Sequence, residues 1–335
     1  MWQVVNRTPY GAERNWVRDK NGGHQWIVAV KGTFDVSPSG ELQVADEQPE
    51  PLFAAEYEGE DGQSSVRFDL DLGPLKPATD VWVAGHARPP GDKPVHELPI
   101  SLRFVEVNKT LLVRGENVFH TGLGGLSTTR PRPFTSMPVV YERAFGGVDE
   151  SASNPAHHRM YMANPVGVGF SLSASRLEQQ PAPNVVYPGK DLAKSGPAGF
   201  GAIASHWSPR AELAGTYDAA WVEQRKPLLP ADYDSRFTLC APADQRSKAG
   251  HLPAGTRIEL VNMTPNGVMS FELPRVRPTF CTHFGIRRKE HPCVVASVIL
   301  LPDELKVQVV WQSSLDVGPK QLDYLDHTIV EEVTV

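Results

Sequence analysis

Residues 196–246, GPAGFGAIASHWSPRAELAGTYDAAWVEQRKPLLPADYDSRFTLCAPADQR, constrain the fold more than any other stretch of this chain. They hold Trp207, Tyr217, Trp221, Tyr233 and Phe237 among five prolines and four glycines, with hardly any periodic apolar pattern. A disordered linker lacks such an aromatic load, because ordering needs enough apolar surface to offset chain entropy. Regular helix or sheet does not accommodate that much proline and glycine. The stretch therefore reads as a long, ordered, irregular structure held by aromatic packing, of a kind that usually persists because something uses it.

Around it, strand signals dominate. Trp26–Val36 is rich in β-branched and aromatic residues and ends at Ser37-Pro-Ser-Gly40. Ser64–Asp71 alternates, which predicts a half-buried strand with Val66, Phe68, Leu70 and Leu72 on the inner face and Arg67, Asp69 and Asp71 in water. Asp80–His86, Ile100–Val107 and Lys109–Val118 continue the pattern, with a tight hairpin turn expected at Val107–Thr110. Strands return at Arg257–Val261 and Val268–Leu273, separated by Thr264-Pro-Asn-Gly267, and then at Thr279–Arg287, Cys293–Leu301 and Lys306–Gln312. Tyr324–Val335 reads as an added edge strand. One helix is expected near Asp218–Lys226, capped by Asp218 or Thr216 and stopped by Pro227, and a short helical turn between Glu150 and Met160.

No helical segment recurs between strands at the length a βαβ crossover needs. The expected fold class is mainly β: two sandwich- or barrel-like β-units, residues 1–120 and 251–335, joined by an irregular Gly/Pro/aromatic-rich segment, 121–250, that packs on both.

The chain's 335 residues suffice for a substantial core and roughly two domains. A net charge of -6 argues against a broad nucleic-acid surface, which needs clustered Lys and Arg; the only dense basic run is Arg287-Arg288-Lys289. The opening MWQVVNRTPYGAERN has neither a basic start nor an apolar run, so no secretory signal is expected. The longest apolar run, Val294–Leu301, is too short for a membrane span. Three cysteines in so long a chain do not make a disulfide framework, which fits a reducing cytoplasm.

Four blocks carry a resemblance: PVVYERAFGG (Pro138–Gly147), NPVGVGF (Asn164–Phe170), NVVYPGKDL (Asn184–Leu192) and the 196–246 stretch. In this order and spacing, with weaker similarity at VVNRTPYGA (Val4–Ala12) and in the C-terminal half, the chain resembles the bacterial family called domain of unknown function 2169. The resemblance implies a cytoplasmic, non-enzymatic adaptor or chaperone of type VI secretion. Such a protein binds an effector and promotes its loading onto a spike or spike-tip protein of the VgrG or PAAR type. It implies no cofactor, and the net charge and short apolar runs argue against a nucleic-acid or a membrane partner.

Read from residue types alone, the partner-binding candidates are Tyr141, Arg143, Phe145, Trp207, Arg210, Tyr217 and Trp221, since Tyr, Trp and Arg carry much of the energy at interfaces. Each has a structural alternative, and Glu142 with Arg143 suits an internal salt bridge clamped by aromatics. No catalytic set stands out: there is no Gly-x-Ser-x-Gly elbow, and Ser127 in Gly124–Thr129 lacks the strand-turn-helix context of one. The metal candidate is Cys281, His283, His291 and Cys293, whose i, i+2 pairs share a strand face and could meet across a hairpin as a zinc set, although the spacing matches no common zinc pattern. That group underlies the competing reading, a metal-assisted hydrolase; a structural part of the secretion machinery is a further alternative.

Overall fold

The computed structural model describes residues 2–122 and 125–334; Gly124, in the block that holds Ser127, lies outside them. Among the described residues the principal sheets are built from β1 (Gln3–Asn6), β2 (Gly11–Arg18), β3 (His24–Val36), β4 (Leu42–Val44), β5 (Asp80–Val83), β6 (Glu97–Phe104), β7 (Val107–Arg114), β8 (Val185–Val186), β9 (Arg257–Val261), β10 (Val268–Glu272), β11 (Val276–Phe284), β12 (Arg287–His291), β13 (Val294–Leu301), β14 (Lys306–Val317) and β15 (Leu325–Thr334), and further short strands pair off two by two. Helix is confined to single turns and two short segments, α1 (Leu192–Ser195) and α2 (Ala219–Gln224). The fold is mainly β, as the alternating patterns require, and no sheet closes into a barrel.

The strands make three principal sheets. One runs β2-β3-β14-β13-β5 with β4 beside the end of β3, the second β8-β7-β6-β9-β10, and the third β1-β15-β11-β12. The spine of the first is the antiparallel pairing of β3 with β14, from His24 opposite Val317 to Asp35 opposite Lys306. Each of these three sheets mixes the two ends of the chain. β1 lies parallel to β15, β5 parallel to β13, and β6 antiparallel to β9. The 1–120 and 251–335 segments thus share their hydrogen-bonded ladders.

Strand alternation sorts side chains between two layers. Trp26, Val28, Val30, Val81, Val83, Val298 and Leu300 point to one core with Ile100, Leu102, Leu111, Ile258 and Leu260 of the second sheet, a sandwich interior. Trp82, Ile299 and Leu301 point to the opposite face, where Val66, Tyr141, Ala144, Ala202, Ala204, Trp207 and Cys240 cover them. The irregular middle segment therefore forms a third layer over the outer face of the first sheet.

Several local expectations shift. The β6–β7 hairpin turns at Val105-Glu106, not at Val107–Thr110, with Phe104 opposite Val107 and Val105 at φ +47°. β15 is an inner strand with β1 on one side and β11 on the other, since its buried Leu325 and Val330 join the main core. Within Ser64–Asp71 only Val66–Phe68 is strand, and Asp69 and Asp71 are buried.

Candidate functional site

The middle segment is fastened to the sheet by a clamp whose parts come from all four resemblance blocks. Tyr141 packs edge-on against fully buried Trp207, ring centroids 5.6 Å apart, and its hydroxyl donates to the Gly201 carbonyl. Gly199 is needed there: a Cβ would sit 2.8 Å from the Tyr141 ring. Asn164, with no exposed surface, donates from its amide to the carbonyls of Tyr141 and Phe145. Asn184 donates to the carbonyls of Arg114 and Gly115. Glu142 and Arg143 do not pair with each other, because the single turn at Tyr141–Arg143 aims them apart. Glu142 accepts from the backbone and hydroxyl of Ser65, while Arg143 reaches Glu116 at 2.6 Å and the Asn184 side-chain oxygen at 3.0 Å.

Beside this clamp lies a buried charge cluster that the alternation of Ser64–Asp71 concealed. Arg210 pairs with Asp69 at 2.8 Å and donates to the carbonyls of Ile203 and Phe237, with its guanidinium over the Phe237 ring. Lys31 pairs with Asp71 at 3.0 Å, and Lys76 with Asp80 at 2.8 Å. Asp80 also accepts from the backbone N–H groups of Cys240 and Ala241, and the Lys76 ammonium and these donors hold its carboxyl below the usual range despite burial. Three cations face three carboxylates, the balance that buried charges require. The expectation of solvated carboxylates fails here because loops of the third layer fold over the face that Asp69 and Asp71 occupy. The visible signal was Lys31 in the middle of an apolar strand.

Next to this cluster runs an arm, residues 211–238, most of it exposed or half-buried. Asp218 caps α2 by accepting from the Trp221 N–H, as expected. Thr216 is tied to Asp232, the Trp221 indole donates to the Leu228 carbonyl, and Arg225 reaches the Leu229 and Lys20 carbonyls. Along α2 only Trp221 is partly covered. Tyr217, 54% exposed, stands edge-on to it with ring centroids 4.8 Å apart, and Val222 is 56% exposed. Between arm and sheet is a crevice of about 400 Å³, lined by Leu70, Leu228, Leu229, Tyr233 and Phe237 together with Asp71, Lys76 and Arg210.

The sequence-derived partner candidates therefore divide. Tyr141 and Trp207 are buried against the outer face of the first sheet, Arg210 is buried on Asp69, and Phe145 is buried against Tyr161 and Phe170 within the segment, so these four offer a partner almost no surface. Arg143 is half-buried in its polar contacts. Tyr217 and Trp221 are brought together on the arm, and Tyr217 is in the open.

The Cys/His group is split by strand alternation. His291 lies opposite Phe280 and faces the core, whereas Cys281 and His283 occupy the alternate positions of β11 on the other face. Among the described residues no three His, Cys, Asp or Glu side chains are grouped as a metal site. His291 is the middle of a buried chain of hydrogen bonds instead. Its Nδ1 lies 2.6 Å from the Ser313 hydroxyl, its Nε2 2.8 Å from Thr282, Thr282 bonds Thr328, and Thr328 accepts from the Trp26 indole. The Ser313 proton goes to the Pro292 carbonyl, so the imidazole carries a proton on Nδ1 and donates it to Ser313. Burial pushes its pKa down to about 4. The thiols are held protonated: burial raises Cys240 well above its ordinary value and Cys293 to about 12. A protonated thiol is a poor nucleophile and metal ligand.

No helix among the described residues is long and apolar enough to cross a membrane. Residues 21–312 match a family model described as an uncharacterized protein conserved in bacteria, DUF2169. No curated protein and no solved structure matches the chain.

Proposed function

We propose that this chain, which belongs to the DUF2169 family of bacterial proteins, is a non-enzymatic adaptor that binds a type VI secretion effector in the cytoplasm and promotes its docking on a VgrG- or PAAR-type spike protein. The observation that carries this reading is the 211–238 arm, which presents exposed Tyr217 and Val222 beside a half-covered Trp221. Tyr and Trp anchors ringed by polar surface are what recognition surfaces use. The buried clamp supports the same reading, because it spends the family-like blocks on holding the arm's base in one position. The secretion role itself comes from the resemblance of those blocks.

The test is co-expression with the effector encoded beside the gene, followed by affinity pull-down. Tyr217→Ala is expected to weaken capture about tenfold or more with an unchanged melting temperature, and Trp221→Ala to weaken it likewise with a small loss of stability from the indole bond to the Leu228 carbonyl. Trp207→Ala, by contrast, is expected to lower the melting temperature. If wild-type protein neither captures the effector nor raises its soluble yield, the adaptor reading is wrong. If only destabilised variants lose capture, the arm is not the contact.

A further inference from the structure

We propose that β12 is a docking edge for an extended, acidic segment of a partner protein, which adds to the third sheet as a further strand. This goes beyond the adaptor reading and does not depend on it. β12 is the last strand of its sheet, and among the described residues nothing pairs with its outer side. Other sheet edges are met by the chain itself. The N–H of Val83 in β5 donates to the Phe200 carbonyl, Val185 of β8 bridges Ala144, and the Gly40 turn presses on β10 at Ser270. An open row of backbone donors and acceptors is a template for another strand.

The hairpin turn fixes which groups are on offer. Gly285, φ +59°, and Ile286 form a two-residue turn with glycine in the first central position. Such a turn closes on a hydrogen-bonded pair, Phe284 with Arg287, and bonded pairs alternate along an antiparallel ladder. Thr282 with Lys289 is therefore the next bonded pair. The N–H and C=O groups of Arg288 and Glu290 point the other way, to the open side, and no partner meets them among the described residues.

The chemistry of the occupant follows from charge. Arg287, Arg288 and Lys289 are all exposed and form no ion pair among the described residues, in a chain whose net charge is -6. Arg287 and Lys289 project to one side of the sheet and Arg288 to the other, with Glu290, so an added strand meets cations on both of its faces. Opposite charges facing each other across a strand pair favour pairing, and like charges oppose it. A second copy of β12 carries the same excess of cations and is disfavoured, whereas a strand with carboxylates at successive positions is selected. Ile286, fully exposed at the turn, offers an apolar contact beside that edge.

The experiment uses the whole purified chain and four labelled probes. These are the capped peptide Val-Thr-Glu-Glu-Glu-Val, the same peptide with lysine for glutamate, the acidic peptide N-methylated at its glutamates, and an oligothymidylate of equal length. Fluorescence anisotropy is expected to show saturable binding of the acidic peptide, about tenfold or more tighter than the lysine peptide. The N-methylated peptide keeps the charge but loses the donors for strand pairing, and is expected to bind about tenfold or more weaker. Arg287→Glu combined with Lys289→Glu is expected to reverse the preference, so that the lysine peptide gains binding. Should that variant unfold, Glu290→Lys removes the one carboxylate of the edge and is expected to tighten the acidic peptide. Absence of saturable acidic-peptide binding, equal binding of the N-methylated peptide, oligothymidylate bound as tightly as the acidic peptide, or a preference indifferent to these charge changes overturns the proposal.

Discussion

His291 shows how a single titratable group can set the acid limit of this fold. With its Nδ1–H given to Ser313 and its Nε2 accepting from Thr282, a second proton has no acceptor unless Thr282 and Thr328 both reverse. The unfolded imidazole titrates near 6.5 and the folded one near 4. As pH falls through that window the unfolded chain binds a proton that the folded chain refuses, so stability drops, by on the order of 3 kcal/mol in total. Above 6.5 both states are neutral and the contribution is flat. Urea midpoints at pH 7 and pH 4, together with an imidazole resonance that stays neutral at pH 5, check this. The Asp69–Arg210 pair makes a second case. Arg210→Met alone leaves a buried carboxylate unpaired and is expected to cost about 3–5 kcal/mol, whereas adding Asp69→Leu recovers much of that loss in a double-mutant cycle of melts. At this scale the sequence told little of the charge cluster. Asp69 and Asp71 sit in a clean alternating run, and only a remote loop decides whether the polar face of such a run meets water or Arg210 and Lys31.

Elements were more legible. The Asn-Gly hairpin forms between β9 and β10, the Asp218 cap starts α2, and β3, β7, β13 and β14 lie within a few residues of where their apolar patterns put them. These signals are local, and local chemistry satisfied them. The Val105-Glu106 turn was misplaced because Val105, a β-branched residue, adopts φ +47° against its own preference. The outer edge of β10 illustrates a device that patterns do not reveal. The turn ending at Gly40, φ +88°, presses against it so closely that a Cβ would lie 2.3 Å from the Ser270 carbonyl oxygen. Covering an open sheet edge guards against pairing with other chains. Gly40→Ala is expected to cost about 1–2 kcal/mol through backbone strain alone, and to raise the aggregation rate; a denaturation midpoint and light scattering would show both. The arm belongs to this scale too. Its aromatic content was plain in the sequence, but which rings face outward was not, since Trp207 and Trp221 sit in similarly Pro- and Gly-rich surroundings and only packing separates them.

Across the whole molecule, pairing rather than pattern governs. Each principal sheet joins strands that precede residue 120 to strands that follow residue 250. The unfolding of the chain is therefore expected to be a single cooperative transition, with fluorescence and far-ultraviolet circular dichroism coinciding. A fragment ending at residue 120 should show no cooperative melt on its own and should regain one when mixed with the remainder; an independent melt of that fragment would count against the shared ladders. The same topology bears on synthesis. A ribosome lengthens a chain at about 5–20 residues per second, so β3, one of the most apolar strands, waits on the order of ten seconds or more before β14 emerges to pair with it. Throughout that interval the nascent chain is a client for holdases, and slow translation or scarce chaperone should lower the yield of folded protein more sharply than a modest loss of thermodynamic stability would.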